Sequence, residues 1–295
     1  MKPQENPASS SHRPWLIRRW RQSIRTLLLF IILTAGAVLF LIPFAWMLST
    51  SVKPIDQVYL LPPTWIPREF QWKWYIDTWR KHDFPLVYRN TISVCALNQV
   101  GMILSCTMAA FAFARLRFRW RGPLFMLLLS TMMLPGQVTL IPTYLLFSKL
   151  GWVNTLKPLI IPNYFALSSF TVFLMRQYFM SIPWEMDDAA RIDGVSVPGL
   201  YWRIILPLSK PVLGVAAIIQ FTYDWNDFFN PLIYLNSPKY FTIAIALNML
   251  HNPLTRFDIQ AVMAMTVVSI IPVLVLFFLA QKSYIQGIVV TGVKG

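Results

Sequence analysis

The chain has 295 residues, of which 56% are hydrophobic and only 13% charged. A soluble domain carries roughly a quarter charged residues, so this composition excludes an ordinary soluble fold and points to a chain whose solvent is largely lipid. The net charge of +14 does not mark a nucleic-acid surface, because the basic residues flank long apolar runs, where they act as topology signals.

Residues 1–26 are polar and basic, with Lys2, Arg13, Arg18, Arg19, Arg21 and Arg25. The apolar run Leu27–Leu48 follows, and at 1.5 Å per residue it spans about 33 Å, enough to cross a bilayer. It is longer than a secretory signal core and is read as a retained first helix. Five further spans are predicted, at about Asn90–Ala114, Pro123–Phe147, Leu156–Tyr178, Leu206–Leu235 and Ile259–Gln281. Several carry polar residues or prolines, such as Asn98, Gln99, Pro135, Pro142 and Asn163. Polar side chains are costly against lipid, so the spans should form a bundle around a path. Arg115, Arg117, Arg119 and Arg121 crowd one short turn, which the positive-inside rule puts in the cytoplasm; both termini are then expected inside.

Outside the spans, the loop Ser49–Arg89 carries Trp72, Tyr75 and Trp79 on one helical face. Anchoring at the interface and docking of an external partner both fit that face. Cys95 and Cys106 lie about 16 Å apart along one predicted helix, beyond disulfide reach. His12, His82 and His251 are far apart in sequence and form no metal-binding pattern.

The segment 181–207 is the informative one. Ser181 and Pro183 signal a helix start, and Glu185, Asp187 and Asp188 fall in the first turns, where the helix dipole favours acids. Asp193-Gly194 signals a stop. Ser196 and Pro198 start a second short helix that runs toward Pro207. The expected result is a helix–turn–helix knob between two spans. Ala189 and Ala190 are small enough to let another protein surface approach closely.

An amphipathic loop without a partner would have similar features. The spacing, however, resembles the cytoplasmic coupling loop of ABC importer permeases. Their pattern is Glu-Ala-Ala, three residues, Gly, nine residues, Ile, one residue, Leu-Pro. Here Ala189, Ala190, Gly194, Ile204, Leu206 and Pro207 match it, with Asp188 in place of the leading glutamate. The stretches Arg191-Ile192-Asp193-Gly194 and Trp225-Asn226-Asp227-Phe228, and the final residues, are similar to the carbohydrate-uptake branch, whose smaller maltose-type permease has six helices. The resemblance implies an all-α polytopic membrane protein of the binding-protein-dependent importer permease fold, with a domain over 27–282 and a tail over 283–295. It also implies the partners: a second permease subunit, a dimeric ATPase, an extracytoplasmic solute-binding protein and the bilayer of the bacterial inner membrane. ATP and magnesium would be bound by the ATPase. By the same resemblance, Asp188 would pair with a basic residue of that ATPase and Gly194 would set the turn. No enzyme activity is expected of this chain. Gly287 to Gly292 imitates a phosphate-binding loop, but Val293 stands where a lysine must follow.

A path is also legible. On a helix, Gln220, Asp224 and Asp227 fall within about 60° of one another. Trp225 and Asn226 join them as candidates for lining a solute path, since acids at membrane depth default to function and aromatic faces suit sugar rings. The alternative is that these groups sit at the outer interface, where polarity costs little. A secondary, ion-coupled transporter is the rival reading of the whole chain: Asp224 and Asp227 could carry protons, but the coupling-loop pattern would have no role.

Overall fold

The computed structural model describes the backbone of residues 14–251 and 258–292, and side chains over 22–251 and 258–280. The described residues are helical or irregular, with no strand among them. The chain forms two compact units, 1–70 and 71–295.

The first unit holds α1 (Pro14–Ser51), which reaches back well before Leu27. Pro14 suits a first turn, because the amide hydrogen it lacks would have no partner there. From Leu27 to Phe40 the large apolar side chains are open to their surroundings, as a lipid-facing helix requires. The chain beyond the helix folds around Trp46. The Lys53 ammonium lies 3.8 Å from the centre of that ring, Trp65 meets it edge-on at 5.2 Å, and the Ser49 hydroxyl donates to the Trp65 carbonyl.

The second unit is organised on the 32-residue α3 (Phe84–Arg115), preceded by the short α2 (Lys73–Lys81). Along α3 small and sulfur-bearing residues, Cys95, Met102, Cys106, Ala110 and Ala114, are buried together with Asn90, Asn98 and Thr107. Both cysteines are free. Gly101 permits a close approach here. A Cβ on it would stand 2.8 Å from the Tyr164 ring and 3.2 Å from the Asn163 backbone. Small residues at such crossings are the general rule where lipid removes the hydrophobic drive between helices.

Three of the other spans are broken near prolines. α4 (Arg121–Thr131) and α5 (Gly136–Lys149) meet at a 98° bend. Pro135 between them has no amide to donate, and its ring would clash with the Thr131 carbonyl of a continuous helix. The fourth span, Lys157–Ser181, is α6 (Lys157–Ile160), a 3-10 turn (Ile161–Phe165) and α7 (Ser169–Ser181). Two short helices follow, α8 (Glu185–Ile192) and α9 (Val197–Leu200). At Ser209, between Pro207 and Pro211, the chain turns by 78° into α10 (Lys210–Asn226). α10 is shorter than the predicted Leu206–Leu235. It ends where Pro231 would clash with the Asp227 carbonyl, and the separate α11 (Phe229–Tyr234) begins. α12 (Ile243–Leu250) and α13 (Ile259–Gly292) complete the unit. Among the described residues four helices are long and apolar enough to cross a membrane, and six spans result when each bent pair is counted as one. The boundaries read at 26/27 and 282/283 both fall inside helices, α1 and α13.

Candidate functional site

Two places in the second unit collect the polar residues singled out above: the knob formed by α8 and α9, and a cavity beside α10.

The knob folds by local rules. α8 ends in a left-handed Gly194, φ +74°. The Val195 amide donates to the Ala190 carbonyl at 2.9 Å and the Gly194 amide to Arg191 at 3.0 Å, the paired bonds of a Schellman stop. The Ser196 hydroxyl then accepts from the Gly199 amide at 3.4 Å and caps α9. Ala190, Leu200, Tyr201 and Ile205 pack inward with Met175 and Phe179 of α7 and Ala110 and Phe111 of α3. The Tyr201 hydroxyl bonds that of Thr107 at 2.6 Å.

One contact ties this knob to α3 more firmly. The Arg115 guanidinium donates to the carbonyls of Phe179 and Ile182 at 2.8 and 2.7 Å. It lies 4.5 Å from the Trp184 ring and 3.4 Å from the Asp187 carboxylate, with both ionic side chains at most 1% exposed. Burial pushes the Asp187 carboxyl above the usual carboxylate range, and the Arg115 charge beside it pulls it back. Neither Asp187 oxygen accepts a hydrogen bond among the described residues, so Arg115 is its main compensation.

The outward face of the knob is different in kind. Glu185, Met186, Asp188, Ala189 and Ile192 are exposed, Ile192 by 86%. Asp188 is 69% exposed and only loosely paired with Arg191, at 3.8 Å. An exposed pair of that kind contributes little, about 0–1 kcal/mol, which leaves the carboxylate free to meet another cation.

The cavity, of about 280 Å³, lies among α3, α5, the 3-10 turn and α10. Asn98, Gln220, Asp224 and Asp227 line it, with the aromatic rings of Phe147, Tyr223 and Tyr234. Gln220 donates to one Asp224 oxygen at 3.0 Å. The Asn98 side chain also meets the Asp224 carboxylate, and the Asn98 carbonyl oxygen, in a residue only 2% exposed, has no hydrogen-bond partner among the described residues. Asp227 spends both oxygens on Asn230, accepting from its amide at 3.2 Å and its side chain at 2.9 Å.

Residues 101–289, a stretch holding the knob and most of the cavity lining, match the family described as binding-protein-dependent transport system inner membrane component. The chain belongs to this family. The permease is 36% identical over 209 residues to the arabinooligosaccharides transport system permease protein AraQ of Halalkalibacterium halodurans, covering 70% of this chain and 74% of that one. It is 31% identical to the galactooligosaccharides transport system permease protein GanQ of Bacillus subtilis, covering 93% and 98%. In fold it matches a chain from the crystal structure of a bacterial ABC transporter involved in the import of the acidic polysaccharide alginate. The TM-score is 0.79 at 24% identity, over 89% of the permease and 97% of that chain.

Against this geometry the sequence-predicted residues sort cleanly. Glu185, Asp188 and Ala189 stand together on the outward face, and Gly194 makes the turn. Ala190 points inward, so its small size serves the permease's own packing. Ile204 and Leu206 pack against the same cluster, and Pro207 is exposed at the bend into α10. Gln220, Asp224 and Asp227 share the cavity, but Asp227 reaches it from the break after α10. Trp225 and Asn226 do not line it. The Trp225 indole donates to the Ser269 carbonyl of α13 at 3.0 Å and stacks on Phe221, and Asn226 bonds back to Thr222. Sequence reasoning missed Arg115, which it counted as a topology signal, and Asp187, which it left in the first turn of a helix.

Proposed function

We propose that the permease couples a sugar path to ATP hydrolysed on a separate dimeric ATPase, with residues 181–207 facing the cytoplasm as the docking knob. A second permease subunit forms the other half of the path, and an extracytoplasmic binding protein delivers the solute. The observation that carries this reading is the two-faced knob. Its inner face is pinned to α3 by Arg115 and Asp187, while Asp188, Ala189 and Ile192 are left open to a partner. Exposed apolar groups beside a free carboxylate are what a covered surface looks like when its partner is away. The sugar class draws support from the oligosaccharide systems that AraQ and GanQ are named for. In that reading the chain binds no cofactor; ATP and magnesium belong to the ATPase.

The test is Asp188→Lys in the reconstituted importer. A like charge against a basic ATPase pocket leaves both groups unpaired, a loss of about 2–5 kcal/mol at an interface. ATP-driven uptake and ATPase retention should both fall sharply. Wild-type values for both would refute the docking assignment.

A further inference from the structure

We propose that the cavity beside α10 binds the hydroxyl groups of a neutral sugar ring and rejects acidic solutes. The proposal rests on the importer reading above and names the solute class within it.

The argument starts from the unpaired atoms. A buried polar atom without a hydrogen bond is costly, and natural structures leave few. Two residues that line this cavity carry such an atom, the Asn98 carbonyl oxygen on α3 and one oxygen of Asp224 on α10, which the Asn98 side chain also meets. The Thr242 hydroxyl, on the same wall, is also without a partner. The two oxygens are acceptors, so what completes them must bring donors. Among the described lining residues there is no lysine, arginine or histidine. An anionic group entering the cavity would therefore meet two aspartates and no compensating charge, which disfavours it strongly in a low-dielectric setting.

A cation would bring donors too, but the wall is poorly built for one. Asp227 already accepts two bonds from Asn230, and Asp224 accepts from Gln220 with Asn98 beside it, so both carboxylates are partly engaged by amides of the protein itself. Neutral hydroxyls suit that mixture better, because Asn98 and Thr242 can each take part without a charge. The Phe147, Tyr223 and Tyr234 rings supply apolar faces for the C–H face of a sugar. At about 280 Å³ the space is near the lower end of the ~300–1,000 Å³ usual for small-molecule sites, so it suits one ring of a longer sugar at a time.

The test uses the complete importer in proteoliposomes, supplied with a mixture of neutral oligosaccharides and of uronate-bearing oligosaccharides of equal length. Mass spectrometry reads what accumulates with ATP. Neutral sugars should accumulate and the acidic ones should not. Asp224→Asn, which still accepts from a hydroxyl, should keep neutral uptake within about fivefold of wild type, whereas Asp224→Leu should lower it about tenfold or more. Both variants should still assemble with the ATPase, since Asp224 lies outside the knob. Accumulation of the acidic sugars overturns the proposal while leaving the importer reading intact. So does an Asn variant as impaired as the Leu variant, which would mean that Asp224 must be charged, and so does wild-type uptake in both. If no sugar of either kind accumulates with ATP, the sugar-importer reading itself fails.

Discussion

The knob and the cavity differ in what surrounds their buried polar groups. At the knob, Arg115 and Asp187 are sealed in together, and the guanidinium also satisfies two carbonyls at the start of the loop. At the cavity, Asn98 and Asp224 meet each other with no cation among the described lining residues. Breaking a buried ion pair leaves an uncompensated charge, whereas polar groups around a cavity can also be met by groups from outside. The contrast assigns different work to the two regions. In the proposed reading the knob transmits force, so it should move with α3 as one body. In the same reading the cavity binds and releases, so its polar groups must remain available to a solute.

The largest expected effect comes from breaking the buried ion pair at the knob. Arg115→Leu leaves Asp187 buried with no compensating charge, and breaking such a pair costs about 3–5 kcal/mol. The knob should become sensitive to limited proteolysis near residues 183–195, and ATP-driven uptake should fall to background. Arg115→Lys should rescue only in part, because a single ammonium cannot reproduce the planar fork that reaches both carbonyls and the carboxylate. If the leucine variant resists proteolysis like wild type, the knob is not held by this pair.

A smaller effect is expected at the turn. A Cβ on Gly194 would meet open space, so a substitution there is strained only through its φ of +74°. Gly194→Val should cost roughly 1–2 kcal/mol, since the left-handed conformation crowds the Cβ against the carbonyl. Gly194→Asn should be nearly neutral, because asparagine tolerates that region. Uptake and ATP hydrolysis measured side by side should rank glycine, asparagine and valine in that order. Equal activity for valine and glycine would show that the turn geometry does not matter to coupling.

These two variants also mark what was readable in the sequence. The knob's own turns were legible because they are local: Ser196 with Pro198, and Asp193 before Gly194, act over three or four residues. The Arg115–Asp187 pair was not, because 72 positions separate its members and each had an adequate local explanation. At the cavity, the helical period brought Gln220 and Asp224 together correctly. The same period puts Trp225 about 100° further round α10, where it packs on α13 instead. The period did not end the helix, although Pro231 was there to be read. Asn98 stood out only as a polar residue in a span. Its meeting with Asp224 depends on how α3 packs against α10, which no single-helix period contains.

The central claim is that the outward face of the knob docks on a separate ATPase. The most direct measurement is photo-crosslinking in the assembled importer, with benzoylphenylalanine in place of Ile192 at the tip and, as a control, in place of Tyr223 at the cavity. The account predicts an adduct between this permease and the ATPase from the Ile192 position and none from Tyr223. An importer that retains its ATPase but yields no such adduct from Ile192, or yields it equally from both positions, would contradict the account.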